Sequence, residues 1–291
     1  MWRKNGKSLK QKIMPELPEV HTIVAQLNSE IFGEEIVDIR ISNKAPISQS
    51  KELISKTLVG SNVVKIERIA KLVSITLRKE LEHVLLIHLA LTGRLVLGGK
   101  KEDLRALFVL VFKSGKVLKF FDRRRFGFVK FFGDKKEFND YCQRFGPDPF
   151  SITSEEFEKR LRKKNTAVKN ALLDQSVISG VGNIYATDAL WIAKINPFER
   201  TKNLSSSNYK SLHSALKKIL EEGIRHRGSS ISDYVDIYGK FGTHQKYFRV
   251  YGKRDMPCPR CKSPISVEKL SSRSTYFCKK CQPLKGLEAL L

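Results

Sequence analysis

The chain has 291 residues, with 54 Lys+Arg against 30 Asp+Glu and a formal net charge of +24. Hydrophobic residues make up 41%, enough for packed cores, which excludes a globally disordered chain. The length fits one large domain or two medium ones. Positive charge in such excess repels itself in a compact state and points to a polyanionic partner, nucleic acid first and an anionic membrane surface second.

Residues 1–13, MWRKNGKSLKQKI, carry Arg3, Lys4, Lys7, Lys10 and Lys12 but no apolar run, so they do not read as a secretory signal. They form a basic leader that need not belong to the mature protein. No stretch approaches the length of a membrane-spanning helix, and a cytoplasmic protein is expected. Over 14–33 the spacing of Leu17, Val20, Val24, Leu27 and Ile31 predicts an amphipathic helix, with Pro18 and Glu19 suited to its first turn and Gly33 to its end.

From 34 to 132 the pattern becomes short β-rich runs: EEIVDIRI, NVVKIERI, KLVSITL, HVLLIHLAL, ALFVLVF, KVLKFF and GFVKFF. VFKSGKVLKF reads as a hairpin turning at Ser114-Gly115. Many short strands with few helices between them predict an antiparallel sandwich. RFGPDPF at 144–150 is the clearest linker. Beyond it the spacing predicts helices at 154–164, opened by a Thr153–Glu156 capping box, at 166–175, after Asn183, and at 206–224. Residues 225–252, rich in Gly, Ser and aromatics, read as a loop leading into strands.

Four of the five cysteines lie near the C-terminus as CPRC, 258–261, and CKKC, 278–281. Cys258, Cys261, Cys278 and Cys281 match the ligand set of one tetrahedral zinc ion, a closed and therefore structural site; two disulfides are the competing reading. An intervening hairpin carries Arg273 toward its tip, and the metal fixes a unit with too little core to fold alone. Cys142 stands apart and suits a small core position.

The stretch MPELPEV, 14–20, admits two readings. Pro15 and Glu16 suit a helix start. Alternatively, if the working chain begins after Met14, Pro15 becomes a secondary amine beside the positive end of a helix, which favours its neutral, nucleophilic form. Attack on a sugar C1′ then gives an iminium directly, with Glu16 as general acid/base. Begun at Met1, the Pro15 nitrogen is an amide and the chain reads as a non-catalytic DNA-binding protein.

MPELPEV, the AKLV around Lys71, IHLALTGRL at 87–95, DRRRFG at 122–127, FGPDP at 145–149, GVGNIYA at 180–186 and the paired CxxC motifs together resemble bacterial formamidopyrimidine-DNA glycosylases, which are 8-oxoguanine glycosylases and AP lyases. The resemblance runs in order from Met14 to about Gln282. It implies an α+β multidomain fold: a sandwich over 14–145 flanked by helices, a hinge at 146–152, a helix-two-turn-helix domain with a lesion loop over 153–240, a zinc finger over 241–283 and a tail at 284–291.

The resemblance also implies roles. Pro15 is the Schiff-base nucleophile and Glu16 the acid/base group. Lys71, Asn183 and Arg273 hold phosphates around the lesion, Lys71 and Arg273 taking part in catalysis. His88 contacts DNA, and Leu91, Arg124 and Phe126 fill the void left by the extruded base. Ser229, Ser230 and Tyr234 are candidates to contact that base. The expected partner is duplex DNA containing oxidised bases or abasic sites, bound by a monomer with one structural zinc and no membrane association. Strand cleavage by β,δ-elimination follows excision of oxidised purines. Leu17, where the pyrimidine-specific endonuclease VIII-like branch typically has Gly, favours the purine branch over that alternative. Two departures stand out: Leu91 replaces the family's usual Met, and Arg123 replaces the proline of DPRRFG.

Overall fold

The computed structural model describes residues 14–47, 49–99 and 103–284, so the leader and most of the tail lie outside the described residues. Helix α1 spans Leu17–Ile31, three residues inside the expected start, because Glu16 is extended and serves as its N-cap. The apolar stripe is buried along its whole length. Gly33, at φ +79°, takes the left-handed conformation that ends the helix without a Cβ clash. Leu17 joins a different hydrophobic cluster from Val20, Val24, Leu27 and Ile31, so this one helix is shared by two cores.

The β-rich region forms two four-stranded sheets. One runs β1 (Ile36–Ile41), β6 (Phe108–Phe112), β7 (Val117–Asp122) and β5 (Gly93–Leu97); the other runs β2 (Asn62–Ile69), β3 (Leu72–Arg78), β4 (Glu82–His88) and β8 (Phe128–Phe132). Every pairing within them is antiparallel. Ile75, Leu77, Leu85, Phe108, Phe112 and Phe120 fill the space between the sheets, each side chain contributing about 1.5–3 kcal/mol by burial. The 111–120 hairpin turns at Lys113–Lys116, with Gly115 at φ +86°.

Three elements of this half were not expected. β5 hides in the IHLALTGRL run. Helix α2, Lys51–Leu58, is capped by Ser50 and buries only Ile54 and Leu58. Helix α3, Lys135–Cys142, buries only Phe138, which packs with Leu72, Leu86 and Phe132 on the outer face of β3 and β4. Cys142 is half-buried against that cluster.

The second half is helical: α4 (Ser154–Arg162), α5 (Val168–Leu173), α6 (Asn183–Ile192) and α7 (Ser206–Arg225). The Thr153 hydroxyl accepts the Glu156 N–H at 3.2 Å, as the capping signature predicts for that arm. α6 is buried on nearly all sides, including Thr187 and Asp188, which is why it shows no amphipathic stripe. The Asp188 carboxylate accepts the N–H groups of Arg249, Val250 and Tyr251 at 2.7, 3.0 and 3.1 Å. That fastens the chain entering the C-terminal unit to α6. Between 225 and 252 the chain makes turns and a short 3-10 segment, His244–Tyr247; the strands expected there begin only at Ser266.

Strands β9 (Ser266–Leu270) and β10 (Arg273–Phe277) pair antiparallel, with Arg273 opposite Leu270 beside the turn. The unit's small core is Val250, Cys258, Ile265 and Cys278 against Trp191 of α6, over whose ring Arg260 stacks at 4.2 Å. No helix among the described residues is long and apolar enough to cross a membrane.

Candidate active site

Glu16 is the centre of the site. Only 3% exposed, it is held at the junction of the two halves. Its Oε1 accepts the Ile184 N–H at 2.9 Å and its Oε2 the Tyr185 N–H at 3.4 Å, so a carboxylate from the N-terminal segment closes the N-terminus of α6. Gly182 makes this approach possible: a Cβ there would lie 2.2 Å from Glu16 Cδ. The neighbouring backbone is tied as well, the Leu17 N–H donating to the Gly180 carbonyl at 3.0 Å. Burial pushes the Glu16 carboxyl up to about 7, against the opposing pull of Lys71 and of the α6 N–H groups.

Glu19 supports it from the first turn of α1. Its carboxylate accepts the Glu16 N–H at 2.9 Å, the Tyr185 hydroxyl at 2.7 Å and the Ser229 N–H at 2.6 Å. Pro15 is buried immediately before Glu16.

Two lysines lie within electrostatic reach of Glu16, and an arginine within reach of both. Lys71, 8% exposed, sits at the β2–β3 turn, where burial lowers its ammonium pKa and Glu16 opposes that shift. Lys169 of α5 is fully buried, its Nζ donating to Thr275 Oγ1 at 2.8 Å; burial lowers it to about 7, with Glu16 raising and Arg273 lowering it further. Arg273, exposed at the tip of the zinc hairpin, acts on both lysines. Asn183 opens α6 and donates to the Ser274 carbonyl at 3.2 Å, docking the hairpin onto the helix. Thus Glu16, Lys71, Asn183 and Arg273, contributed by four separate elements, converge. Lys169 was missed. Its signal was the break in apolar periodicity around NALL, a lysine where a core residue belongs.

His88 ends β4, opposite Leu72, and its ring lies 5.3 Å from that of Phe128. Burial and Lys71 push it down to about 4, so it faces the site as a neutral imidazole. Leu91 lies half-buried within the β4–β5 turn. Arg124 stacks its guanidinium 4.4 Å from the centroid of Phe126, and Phe126 is 53% exposed. One buried carboxylate, Asp122, holds these two loops together: it accepts the Thr92 hydroxyl, the Arg124 N–H at 3.2 Å and the Gly127 N–H at 2.7 Å. Sequence reasoning did not single it out.

In the 225–247 loop the Ser229 N–H is taken by Glu19. The Ser230 hydroxyl donates to the Tyr234 carbonyl at 2.8 Å and accepts the Gly242 N–H at 2.9 Å. Tyr234 corrects the expectation of a base contact. It is 6% exposed, packs in the sandwich core and donates to the carbonyls of Glu19 and Arg227, so it anchors the loop.

The four cysteine sulfurs all lie within 4.8 Å of one another, with Cys258–Cys281 at 3.9 Å and Cys261–Cys278 at 3.4 Å. Tetrahedral thiolates about 2.3 Å from zinc are about 3.8 Å apart, whereas a disulfide needs about 2.05 Å. The residues fit one structural zinc ion, with no protein-free ligand position.

Comparison with known proteins decides the family. Residues 14–129 match the formamidopyrimidine-DNA glycosylase N-terminal domain, 145–235 the H2TH domain of the same enzymes, and 257–284 the zinc finger found in FPG and IleRS. The chain belongs to the formamidopyrimidine-DNA glycosylase family. The Herpetosiphon aurantiacus formamidopyrimidine-DNA glycosylase is 36% identical over 275 residues, 92% of this chain and 100% of that protein. The Bacillus subtilis enzyme is 35% identical over 94% of this chain and 100% of its own length.

Among solved structures, a Lactococcus lactis FPG variant in complex with Fapy-dG-containing DNA superposes with a TM-score of 0.83 at 30% identity, covering 92% of this chain and 100% of that one. The Thermus thermophilus protein gives 0.81 at 31% identity, covering 93% and 99%. The formamidopyrimidine-DNA glycosylases are DNA glycosylases with AP lyase activity that remove oxidised purines in base excision repair, and this chain is one of them.

Proposed function

We propose that this chain excises oxidised purines from duplex DNA through the nitrogen of Pro15, and that Glu16, Lys71, Asn183 and Arg273 carry the reaction with it. The observation that carries the reading is the placement of Glu16: directly after Pro15, buried against the N-terminus of α6, beside Lys71.

The reading requires Pro15 as an amine, hence a working chain that begins after Met14. The match to the family's N-terminal domain, which starts at residue 14, supports it. The Pro15 nitrogen attacks C1′ and the glycosidic bond breaks, the electron pair leaving with the base, which takes up the proton that the new C1′–N bond makes the nitrogen shed. The Glu16 proton passes to the ring oxygen as the C1′–O4′ bond opens, leaving an iminium between C1′ and the Pro15 nitrogen. Loss of a C2′ proton then expels the 3′ phosphate, and loss of a C4′ proton the 5′ phosphate. A carboxyl held near 7 can both give and take protons at neutral pH.

Lys71, Asn183 and Arg273 form a phosphate-binding arc around that carboxyl, backed by the buried Lys169 on Thr275. Leu91, Arg124 and Phe126 enter the stack where the lesion leaves it; an exposed Phe backed by a guanidinium suits that task. His88 contacts the duplex as a neutral ring. The partner is double-stranded DNA with an oxidised base or abasic site, met by a monomer in a bacterial cytoplasm. The Lactococcus lactis protein's complexes with Fapy-dG and abasic DNA support this choice.

Cleavage of matched duplexes carrying 8-oxoguanine or thymine glycol tests it. Preferential cutting at 8-oxoguanine, with phosphate on both ends of the gap, is expected. Preference for thymine glycol would reassign the substrate to oxidised pyrimidines.

A further inference from the structure

Ala70 and Lys71 form a two-residue turn between the flanking pair Ile69 and Leu72. A hairpin tip has few fixed contacts of its own, and Ala70 takes φ +55°, a left-handed conformation that a residue with a Cβ adopts only at a cost. Yet Lys71 is buried at a defined place. The restraint is Arg68. Its Nη1 donates to the Ala70 carbonyl at 2.9 Å, fixing the peptide that leads into Lys71.

The same guanidinium reaches across the domain boundary. Nη2 of Arg68 pairs with Oδ2 of Asp148 in the hinge. The Arg68 side chain is 10% exposed and that of Asp148 29%, so the guanidinium end of the pair is largely out of water. Asp148 is itself fixed: its Oδ1 accepts the Phe150 N–H at 2.9 Å and its carbonyl the Ser151 N–H at 3.0 Å.

The hinge is also bonded to the segment that leads into Glu16's seat. The Gly146 N–H donates to the Gln175 carbonyl at 2.8 Å and the Ser179 N–H to the Pro147 carbonyl at 3.0 Å. The next residue, Gly180, accepts the Leu17 N–H. One hinge therefore registers both the Lys71 turn and the α6 N-terminus that holds Glu16.

We propose that the Arg68–Asp148 pair is an interdomain latch and that Arg68 is a positioning residue, setting Lys71 against Glu16 when the two halves are in register. This rests on the role given to Lys71 above. Arginine suits the task because its planar fork addresses a carbonyl and a carboxylate at once; a lysine ammonium is a single point charge.

The test is single-turnover excision and strand cleavage on an 8-oxoguanine duplex. The chain would begin at Pro15, with variants R68A, D148N, K71A and R68A/K71A. Affinity for a duplex carrying a reduced abasic site and the thermal melting transition would be measured in parallel. A side chain displaced by about 1 Å loses about 10²-fold in rate. R68A is expected to fall about 10–100-fold and the near-isosteric D148N in the same direction, with duplex affinity held within about threefold. On the K71A background R68A should add almost nothing, because it acts through that lysine.

R68A and D148N at the wild-type rate, with K71A strongly impaired, would overturn the latch and leave the Lys71 reading standing. An equal loss from R68A with and without Lys71 would also overturn it, reducing Arg68 to a general structural role. K71A at the wild-type rate would overturn the reading on which the proposal rests. Should R68A melt before assay, D148N and its cycle with K71A decide the matter by the same criteria.

Discussion

The Glu16 carboxylate accepts the Ile184 N–H at 2.9 Å, although the two residues are 168 positions apart in the chain. That single bond joins the start of the sandwich domain to the start of the central helix of the other half. It also puts an acid whose carboxyl lies near 7 where positive backbone potential is greatest.

Exchanging Glu16 for Gln keeps an oxygen for the Ile184 N–H and removes the transferable proton. Excision is expected to fall about 10²–10⁴-fold, the usual worth of a general acid or base, with duplex affinity little changed. Single-turnover kinetics and equilibrium binding on the same lesion duplex check both parts.

The Glu16 carboxyl is raised from 4.5 to about 7 in the fold. A group raised in this way contributes stability below its unfolded value and loses it as pH rises through the folded one. E16Q should therefore be more stable than the parent at pH 8 and lose that advantage toward pH 4. Excision that needs the protonated acid should decline above about pH 7. Melting curves and pH–rate profiles of the two proteins measure this directly; an unchanged high-pH limb in E16Q would count against Glu16 as the acid.

Gly182 is extended, at φ −133°, so an alanine there has no backbone difficulty. Its Cβ would nevertheless fall 2.2 Å from Glu16 Cδ, next to a helix that cannot move aside. G182A should destabilise the fold by about 1–3 kcal/mol and slow excision at least about tenfold. Denaturant titration and turnover assays separate the two effects.

Removing zinc with a chelator, or changing Cys258 to Ser, should release the hairpin that carries Arg273 and remove the Ser274 and Thr275 contacts with Asn183 and Lys169. DNA binding is expected to fail while the sandwich, with its own large core, stays folded. Gel-shift titration and circular dichroism report the two outcomes. Full affinity without metal would refute the docking role.

Much of this architecture was legible because it depends on local pattern. The α1 stripe, the alternating strands, the 111–120 hairpin and the CxxC pairs each announce themselves within a few residues. α2 and α3 did not: eight residues burying one or two side chains carry no period to detect. β5 follows β4 so closely that both read as one run.

Glu16, Lys71, Asn183 and Arg273 could be named together from their motifs, but the burial of Lys169 among them could not. Proximity there is made by tertiary packing of four elements. Asp122 and Arg68 were invisible for the same reason. In sequence each is one more charge in a charged stretch, and only the fold shows what the carboxylate or guanidinium holds. Tyr234 was misread because an aromatic in a glycine-rich loop looks like a ligand contact until its hydroxyl is seen to be engaged by backbone.

The central claim is that the Pro15 nitrogen forms the covalent intermediate. Borohydride reduction of the chain beginning at Pro15, mixed with an 8-oxoguanine duplex and followed by peptide mass mapping, tests it most directly. The account predicts a sugar-derived adduct on the N-terminal peptide, localised to Pro15, and none when Met1–Met14 remain attached. An adduct on Lys71 or another lysine, or strand cleavage without any trapped species, would contradict it.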